Sequence, residues 1–270
     1  KRFNGQPVSL KIEEKAYNFF LANSVITAAT AANKGGSVTT EFFYEGLEKP
    51  SVIDSYILNS LSGQAVKLRL SAIKEKLYEL IGARQNVFIG NFGSGPGRDT
   101  IDILSGKYLG FPDIKAICID KDGKALERGR VMAANRGISH RMDFIEDDFF
   151  RYKSEKKFDI ILMIGIFCPL QSEACEVFLK KIPRNKLLKK DGLLLVSNST
   201  PRMVEEDPFT CFLMKWTAGW ELIYKDEHQL QSIFERAGYE WRGYFKDKLG
   251  FHVIGMGIFR DEFEEGEINR

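Results

Sequence analysis

Three glycines at alternate positions follow an apolar segment of the chain. Residues 87–92 (VFIGNF) precede Gly93, Gly95 and Gly97, and a helical stretch follows from Arg98. Glycine adopts positive φ without a steric penalty, and it lets the backbone approach a ligand that any Cβ would block. The first turn of a helix presents free N–H groups and the positive end of its dipole. The pattern therefore predicts a strand, a ligand-binding turn and a helix in direct succession.

A second apolar segment ends in a carboxylate. Residues 116–119 (AICI) are followed by Asp120. In a βαβ unit the parallel strands end at the same edge of the sheet, and an acid after the second strand reaches the hydroxyls of a bound ribose. Strand, glycine turn, helix, strand and acid in this order predict a nucleoside-binding unit.

The spacing of the glycines distinguishes between nucleoside ligands. A dinucleotide-binding turn has the pattern G-x-G-x-x-G, whose third glycine packs the helix against the strand beside a pyrophosphate. Here the position three residues after Gly95 is occupied by Arg98, and the last glycine is Gly97. The spacing therefore disfavours a nicotinamide-dependent dehydrogenase.

Four segments in order resemble the class I S-adenosylmethionine-dependent methyltransferases. The G-x-G-x-G turn is similar to the family's first motif, and Asp120 is similar to its second. Residues 142–149 (MDFIEDDF) resemble the third strand and its turn, and residues 158–165 (FDIILMIG) resemble the fourth strand. The fourth strand has an apolar end without the Asn/Asp-Pro-Pro-aromatic motif of enzymes that methylate bases or amides. The resemblance covers residues 84–260 and points to the small-molecule type.

The resemblance implies the fold and the division of the chain. We expect an α/β fold with a Rossmann-like class I methyltransferase sheet, mostly parallel with an antiparallel last strand, and helices on both faces. Residues 83–260 would form the S-adenosylmethionine-binding domain, and residues 1–82 a helical extension that serves as a lid. Residues 187–192 would precede the fifth strand, and residues 261–270 would be an acidic tail.

The resemblance also implies the cofactor, S-adenosyl-L-methionine, and the residues that hold it. Asp120 would accept hydrogen bonds from both ribose hydroxyls, and Asp148 would accept one from the adenine amino group. The full set of implied cofactor-binding residues is Asn91, Gly93, Ser94, Gly95, Gly97, Asp99, Asp120, Lys121, Asp147, Asp148, Phe149 and Ile164.

Asn91 departs from the family pattern. The family usually has Asp or Glu two residues before the first glycine, where the carboxylate organises the loop and the methionine ammonium group. An asparagine offers an acceptor oxygen without a charge. This leaves three interpretations: a lower cofactor affinity, a different acid in the same role, or a non-catalytic scaffold protein that keeps the fold.

The N-terminal region has helical patterns. A first helix is expected to run to about Asn33. The segment 51–54 (SVID) has the form of a capping box, which would open a helix that ends near Gly63. Apolar residues then recur at helical spacing from Val66 to Ile81, and Gly82 would end that helix.

Aromatic residues indicate the acceptor site. In the family, N-terminal helices and an insertion after the fifth strand, here residues 200–224, cover the acceptor. Such a lining suits an apolar or aromatic molecule, although each ring could equally pack the lid. The candidate acceptor-binding residues are Phe43, Tyr44, Trp216, Trp220 and Tyr224.

The sequence leaves the catalytic residue open. His228 begins a helix and His252 begins the last strand, and either could act as a general base near neutral pH. Tyr44, Glu41 and Tyr224 are further candidates. His140 falls at the start of the third strand, the wrong end for the cofactor, and is expected to have a structural or surface role.

Composition limits the partners. A net charge of +2 over 270 residues gives no electrostatic basis for nucleic-acid binding. The four cysteines lack metal-ligand spacing, so we expect reduced thiols, no metal and a cytoplasmic location. No segment has the length and apolarity of a membrane span. The aromatic N-terminal region is also a candidate surface for a homodimer.

The sequence therefore predicts methyl transfer to a small, partly hydrophobic acceptor, at the oxygen of a hydroxyl or a carboxylate. A non-catalytic scaffold protein is the alternative from another class. An aminopropyl transferase on the same nucleoside scaffold is the nearest enzymatic alternative, but the acidic cluster that would hold an amine substrate is not evident.

Overall fold

The chain divides into two compact units. Unit 1 comprises Lys1–Lys67 and Arg202–Glu221, and unit 2 comprises Leu68–Pro201 and Leu222–Arg270. The expected acidic tail, residues 261–270, lies outside the described residues. The computed structural model describes residues 2–3, 6–33, 36–82, 84, 86–108, 110, 113–184 and 187–259.

Unit 1 is mainly helical. Its core forms where Ile26, Phe43, Ile57 and Leu213 pack together. Before the long helix that leads into unit 2, its elements are β1 (Arg2–Phe3), β2 (Gln6–Pro7), α1 (Val8–Asn23), α2 (Val25–Ala32), α3 (Ser37–Glu45) and α4 (Val52–Asn59). The segment that returns to unit 1 after the fifth strand of the large sheet carries α9 (Pro201–Glu206) and α10 (Pro208–Ala218).

The helix that was expected to run to Asn33 is interrupted at Ser24. The Ser24 Oγ accepts a hydrogen bond from the Thr27 N–H at 2.9 Å and donates one to Asp54 Oδ1 at 2.7 Å. The Ile26 N–H also donates to Asp54, at 3.1 Å. The buried carboxylate satisfies the polar groups at the break, so two helices replace the single one.

The capping box at residues 51–54 is confirmed, but the predicted end of its helix is wrong. The Asp54 N–H donates to Ser51 Oγ at 3.1 Å, and the Ser51 N–H donates to Asp54 Oδ2 at 3.3 Å. The helix ends at Asn59, and Gly63 lies inside the next helix, α5 (Leu61–Ile81). A Cβ at Gly63 would collide with the Ile57 carbonyl oxygen. This glycine therefore allows a close approach instead of ending a helix.

Unit 2 contains a seven-stranded sheet with the order β5-β4-β3-β6-β7-β9-β8. The strands from β5 to β7 are parallel, whereas β9 runs antiparallel to both of its neighbours. The expected fold, including the antiparallel last strand, is confirmed. The strands are β3 (Val87–Phe92), β4 (Ile114–Asp120), β5 (Met142–Glu146), β6 (Phe158–Met163), β7 (Leu188–Ser199), β8 (Tyr239–Lys246) and β9 (His252–Phe259).

Helices cover both faces of this sheet because the buried strands are apolar on both sides. In β4, Cys118 belongs to the core on one face, whereas Ile117 and Ile119 belong to the core on the other. The first face is covered by α5, α6 (Arg98–Ser105) and α7 (Gly123–Asn135), and the second by α8 (Ser172–Arg184) and α11 (Glu227–Arg236).

Two boundaries differ from the expected ones. The compact units meet at residue 67, inside α5, whereas the extension was expected to end at residue 82. The division into a lid and a cofactor domain remains a prediction. The fifth strand, β7, begins at Leu188, so residues 188–192 belong to the strand instead of preceding it. Pairing of Leu188 with Phe158 of β6, before a register shift, extends the strand.

Candidate active site

The glycine turn lies at the carboxyl end of β3, where the strand order of the sheet changes direction. Gly93, Gly95 and Gly97 have φ angles of 63°, 54° and 74°. A Cβ at Gly93 would lie 2.7 Å from Ile166 Cδ1, and one at Gly97 would collide with Cys118 Sγ. Burial raises the pKa of the Cys118 thiol to about 12, so it acts as a packing group. The turn thus requires glycine for conformation and for space.

Asp120 connects this turn to the second strand. Its Oδ2 accepts a hydrogen bond from the Gly95 N–H at 2.7 Å, and its Oδ1 accepts one from the Asp122 N–H at 2.9 Å. The Gly93 N–H donates to the Ile119 carbonyl oxygen at 2.8 Å. The carboxylate therefore sits beside backbone N–H groups at the end of β4, where the sequence placed it.

Asn91 is paired with an acid. Its Nδ2 donates to Asp99 Oδ1 at 2.7 Å, and the Thr100 N–H donates to the same oxygen at 3.0 Å. Asn91 is 1% exposed and Asp99 8%. Burial raises the pKa of Asp99 by more than these hydrogen bonds lower it. A carboxylate therefore lies in direct hydrogen-bond contact with Asn91, from the first turn of α6.

A second acidic pair follows β5. Burial acts to raise the pKa of Asp148, but the Phe150 N–H at 3.0 Å from Oδ1 and the Lys121 ammonium at 3.1 Å from Oδ2 bring it below its ordinary value. The Asp147 N–H donates to the Asp120 carbonyl oxygen at 3.1 Å. Asp148 is therefore an ionised acceptor next to the end of β4.

The remaining implied cofactor residues lie around the same sheet edge. Phe149 follows β5 and stacks against Phe92 with 6.1 Å between ring centroids. Ile164 directly follows β6 and packs against the core of the first face. Ser94, inside the glycine turn, is half-buried. Their contacts with a cofactor remain a prediction.

The candidate acceptor-binding residues are divided between the units. Phe43 is buried in the core of unit 1. Trp216, also in unit 1, is half-buried and meets Tyr17 and Phe20 edge to face. The half-buried residues also include Tyr44 and Trp220 of unit 1 and Tyr224 of unit 2. A role of these five residues in acceptor binding remains a prediction.

The three histidines have different surroundings. His140 and His228 are exposed, and His140 lies just before β5, as the sequence predicted. His252 is 2% exposed, and its Nδ1 lies 3.0 Å from Asp247 Oδ2. Burial lowers the pKa of His252 to about 4, so the ring is neutral at physiological pH.

The carboxyl end of β7 is unexpectedly polar. Ser197, Asn198 and Ser199 are buried, at 0%, 0% and 2% exposure. The Gly165 N–H donates to Ser197 Oγ at 2.8 Å, and Ser199 Oγ lies 3.5 Å from Cys168 Sγ. These contacts connect β7 to the segment that follows β6.

Lys225 is a buried polar residue that sequence reasoning missed. Its ammonium is fully buried and donates to the carbonyl oxygens of Phe167, Leu170 and Ile223 at 3.2, 2.6 and 3.1 Å. Burial lowers its pKa. A single lysine between Tyr224 and an acid gives no local signal of such a role, because Phe167 and Leu170 come from a distant part of the chain.

Arg69 was also missed. It lies on α5, and its Nη1 would be 3.7 Å from a Cβ at Gly165, just after β6. Its charge lowers the pKa values of both Asp99 and His252, although burial is the larger influence on each. The helix pattern of α5 shows only its apolar face and gives no sign of this position.

No three His, Cys, Asp or Glu side chains of the residues that the structure describes form a group that could hold a metal ion. No helix among the described segments is both long and apolar enough to cross a membrane.

Sequence comparisons agree with this geometry. Residues 90–238 match the family described as a methyltransferase domain. The probable thiol methyltransferase 2 of Arabidopsis thaliana is 25% identical over 168 residues, which are 59% of this chain and 70% of that protein.

Two solved structures show a similar fold. A possible exported protein from Bordetella parapertussis has a TM-score of 0.74 at 16% identity, over 91% of this chain and 86% of that one. Magnesium protoporphyrin IX methyltransferase from Synechocystis PCC 6803, solved with bound SAH, has a TM-score of 0.59 at 11% identity, over 92% of this chain and 99% of that one. At these identities the likeness concerns the fold.

Proposed function

Because the chain belongs to the methyltransferase-domain family, whose cofactor is S-adenosylmethionine, we propose that it methylates a small, partly hydrophobic acceptor at oxygen. The observation that carries the proposal is the glycine turn, in which the Gly95 N–H donates a hydrogen bond to Asp120 Oδ2 at 2.7 Å. Ile166 and Cys118 fill the space beside Gly93 and Gly97, so this turn can be built only from residues without a Cβ at these two positions.

The residues at the sheet edge fit the cofactor. In the family's arrangement Asp120 holds the ribose and Asp148 the adenine amino group, and both lie at strand ends here. Asp99 would supply the negative charge that Asn91 lacks. The bound cofactor supplies a methyl group activated by a sulfonium charge, so the protein's main contribution is alignment of the acceptor.

Sulfur is the second candidate for the methylated atom. The Arabidopsis relative is named a thiol methyltransferase and shares 25% identity with the chain. A thiolate needs less assistance from the protein than a hydroxyl group, because a thiol ionises closer to neutral pH. Matched oxygen and sulfur acceptors therefore distinguish the two.

We propose in addition a cytoplasmic enzyme that forms a homodimer and does not bind nucleic acid or membranes. The cysteines, all in described segments and all unpaired, support a reducing compartment. Light scattering tests the dimer, and salt-dependent retention on RNA or DNA tests the nucleic-acid prediction.

Titration calorimetry with S-adenosylhomocysteine tests the cofactor. We expect binding by the wild-type protein and its loss in Asp120→Ala. The control is Asp143→Ala, which removes the same charge from an exposed position of β5. Binding equally weakened in both variants would contradict the assigned role of Asp120. A folded wild-type protein that does not bind would favour the non-catalytic scaffold, and methylthioadenosine formation with an amine would favour an aminopropyl transferase.

A further inference from the structure

His252 lies at the same edge of the sheet as the glycine turn. It is the first residue of β9 and pairs with Ser199, the last residue of β7. Because β9 is antiparallel, its first residue lies where the parallel strands end. Ser199 in turn approaches Cys168 in the segment after β6, with 3.5 Å between Oγ and Sγ.

Asp247 holds the His252 ring in one orientation. One carboxylate oxygen of Asp247 lies 3.0 Å from His252 Nδ1 and accepts the His252 backbone N–H at 2.5 Å. The other oxygen accepts the Leu249 N–H at 2.8 Å. Both side chains are buried, at 3% and 0% exposure. Within the described part of the chain, the second ring nitrogen, Nε2, takes part in no hydrogen bond.

We propose that His252 is the general base that removes the proton of an O–H acceptor, and that Asp247 is the residue that positions its ring. This inference rests on the proposed function. The acceptor's O–H proton moves to Nε2 while the oxygen–carbon bond forms and the carbon–sulfur bond breaks, with the bonding pair going to sulfur. The imidazolium then passes the proton to solvent.

Charged groups on two elements act on this ring. Asp247, in the turn between β8 and β9, favours the imidazolium, whereas Arg69 on α5 opposes it. Burial opposes it more strongly than either, so the ring is in its base form at neutral pH. Asp247 would stabilise the imidazolium charge of His252 while the ring carries the acceptor's proton. A general base needs this stabilisation during the single step of methyl transfer.

The need for a general base restricts the class of acceptor. A carboxylate is already ionised at neutral pH and needs no base. A phenol or an alcohol arrives protonated, so its methylation gains from a positioned base. The acceptor would therefore carry a hydroxyl group and not a carboxylate at the reacting atom.

Two acceptors of matched shape test this role. We would measure transfer of labelled methyl to 1-naphthol and to 1-naphthalenethiol at pH 8, using wild-type protein, His252→Gln and Asp247→Asn. The naphthol is mostly protonated at this pH and the thiol mostly ionised. His252→Gln should lower kcat/KM for the naphthol by about 10²- to 10⁴-fold, the usual range for loss of a general base, and for the thiol by much less. Asp247→Asn should show the same selectivity to a smaller extent.

The control is His140→Gln, which changes an exposed histidine before β5. It should leave both rates unchanged. The wild-type naphthol rate should fall on the acid side near pH 4, the pKa of His252, instead of near the ordinary value of 6.5.

Equal losses for both acceptors in His252→Gln would show a structural role in the hairpin and overturn the proposal, as would no loss for the naphthol. If wild-type protein binds S-adenosylhomocysteine but methylates neither acceptor, the hydroxyl class and this inference are both wrong. Failure to bind the cofactor product would instead refute the proposed function itself.

Discussion

The two ends of the sheet's carboxyl edge are built differently. The glycine end, formed by residues 93–97, 120–122 and 147–150, is shaped by backbone: positive φ angles, N–H groups and two carboxylates that accept from them. The polar end, formed by residues 197–199 with Lys225, Asp247 and His252, is shaped by buried side chains. One end therefore depends on local conformation and the other on contacts between distant segments.

This difference determines what each end tolerates. At the glycine end, an added methyl group meets both a steric obstacle and an unfavourable φ. At the polar end, a lost hydrogen-bond partner leaves buried groups unsatisfied, and their desolvation is no longer compensated. Substitutions should consequently destabilise the protein at the glycine end when they add atoms. At the polar end they should destabilise it when they remove hydrogen-bonding atoms.

The largest effect is expected for Gly97→Ala. Alanine at φ 74° is strained by about 1–2 kcal/mol. Its Cβ would also meet Cys118 Sγ, and such overpacking adds about 1–3 kcal/mol. We expect a loss of unfolding free energy of about 2–5 kcal/mol from the two costs together, and a loss of cofactor binding. Urea unfolding and titration calorimetry measure these.

Gly137→Ala is the matched control. Gly137 has a similar φ, 70°, but apart from its chain neighbours no atom of the described segments lies within 4 Å of its Cβ position. It should show the strain alone, about 1–2 kcal/mol, with unchanged cofactor binding. Equal losses in the two variants would mean that conformation alone, and not the space beside Cys118, determines the glycine end.

The same contrast explains what could be predicted from the sequence. A required φ imposes glycine at fixed spacing, so the turn at Gly93–Gly97 and the acid Asp120 were evident. The antiparallel last strand was predicted, yet Asp247 and Lys225 were not found. The strand order brings Phe167 and Leu170 close to Lys225, and a sequence without its topology does not show such a meeting. Asp247 bonds to Leu249 and His252 within the turn between β8 and β9, where no residue pattern marks the pair.

Local signals also failed where two features compete. The Ser51 capping box was identified, because both partners lie within one turn. The break at Ser24 was missed, because its partner, Asp54, is thirty residues away. Gly63 was taken for a helix end, whereas its missing side chain serves a close contact with Ile57. In each error a tertiary contact outweighed the local preference.

An intermediate effect is expected at the polar end for Lys225→Met. Methionine fills a similar volume but leaves the carbonyl oxygens of Phe167, Leu170 and Ile223 without their donor. We expect a loss of about 1–3 kcal/mol of unfolding free energy, since relief of the buried charge offsets part of the cost. Lys153→Met, at an exposed position, should change stability by less than about 0.5 kcal/mol. A neutral Lys225→Met would show that the polar end does not depend on this ammonium group.

The smallest effect, and the only stabilising one, is expected for Asp99→Asn at the glycine end. Asparagine can keep the acceptor oxygen for Asn91 and Thr100 while it removes a buried charge. Because burial raises the pKa of Asp99 above 3.8, the wild-type protein loses stability relative to the variant as the pH rises from 3.8 through that raised value. Thermal unfolding at steps from pH 3.5 to pH 8 should therefore show no difference at the acid limit and a higher unfolding temperature for the variant at pH 8. Asp143→Asn, on the surface of β5, should show no such pH-dependent gain.

S-adenosylhomocysteine should bind Asp99→Asn about three- to tenfold more weakly, since a charge-assisted contact with the ammonium group becomes neutral. A variant that is more stable and binds equally well would mean that the carboxylate of Asp99 is not the substitute for the acid absent at Asn91.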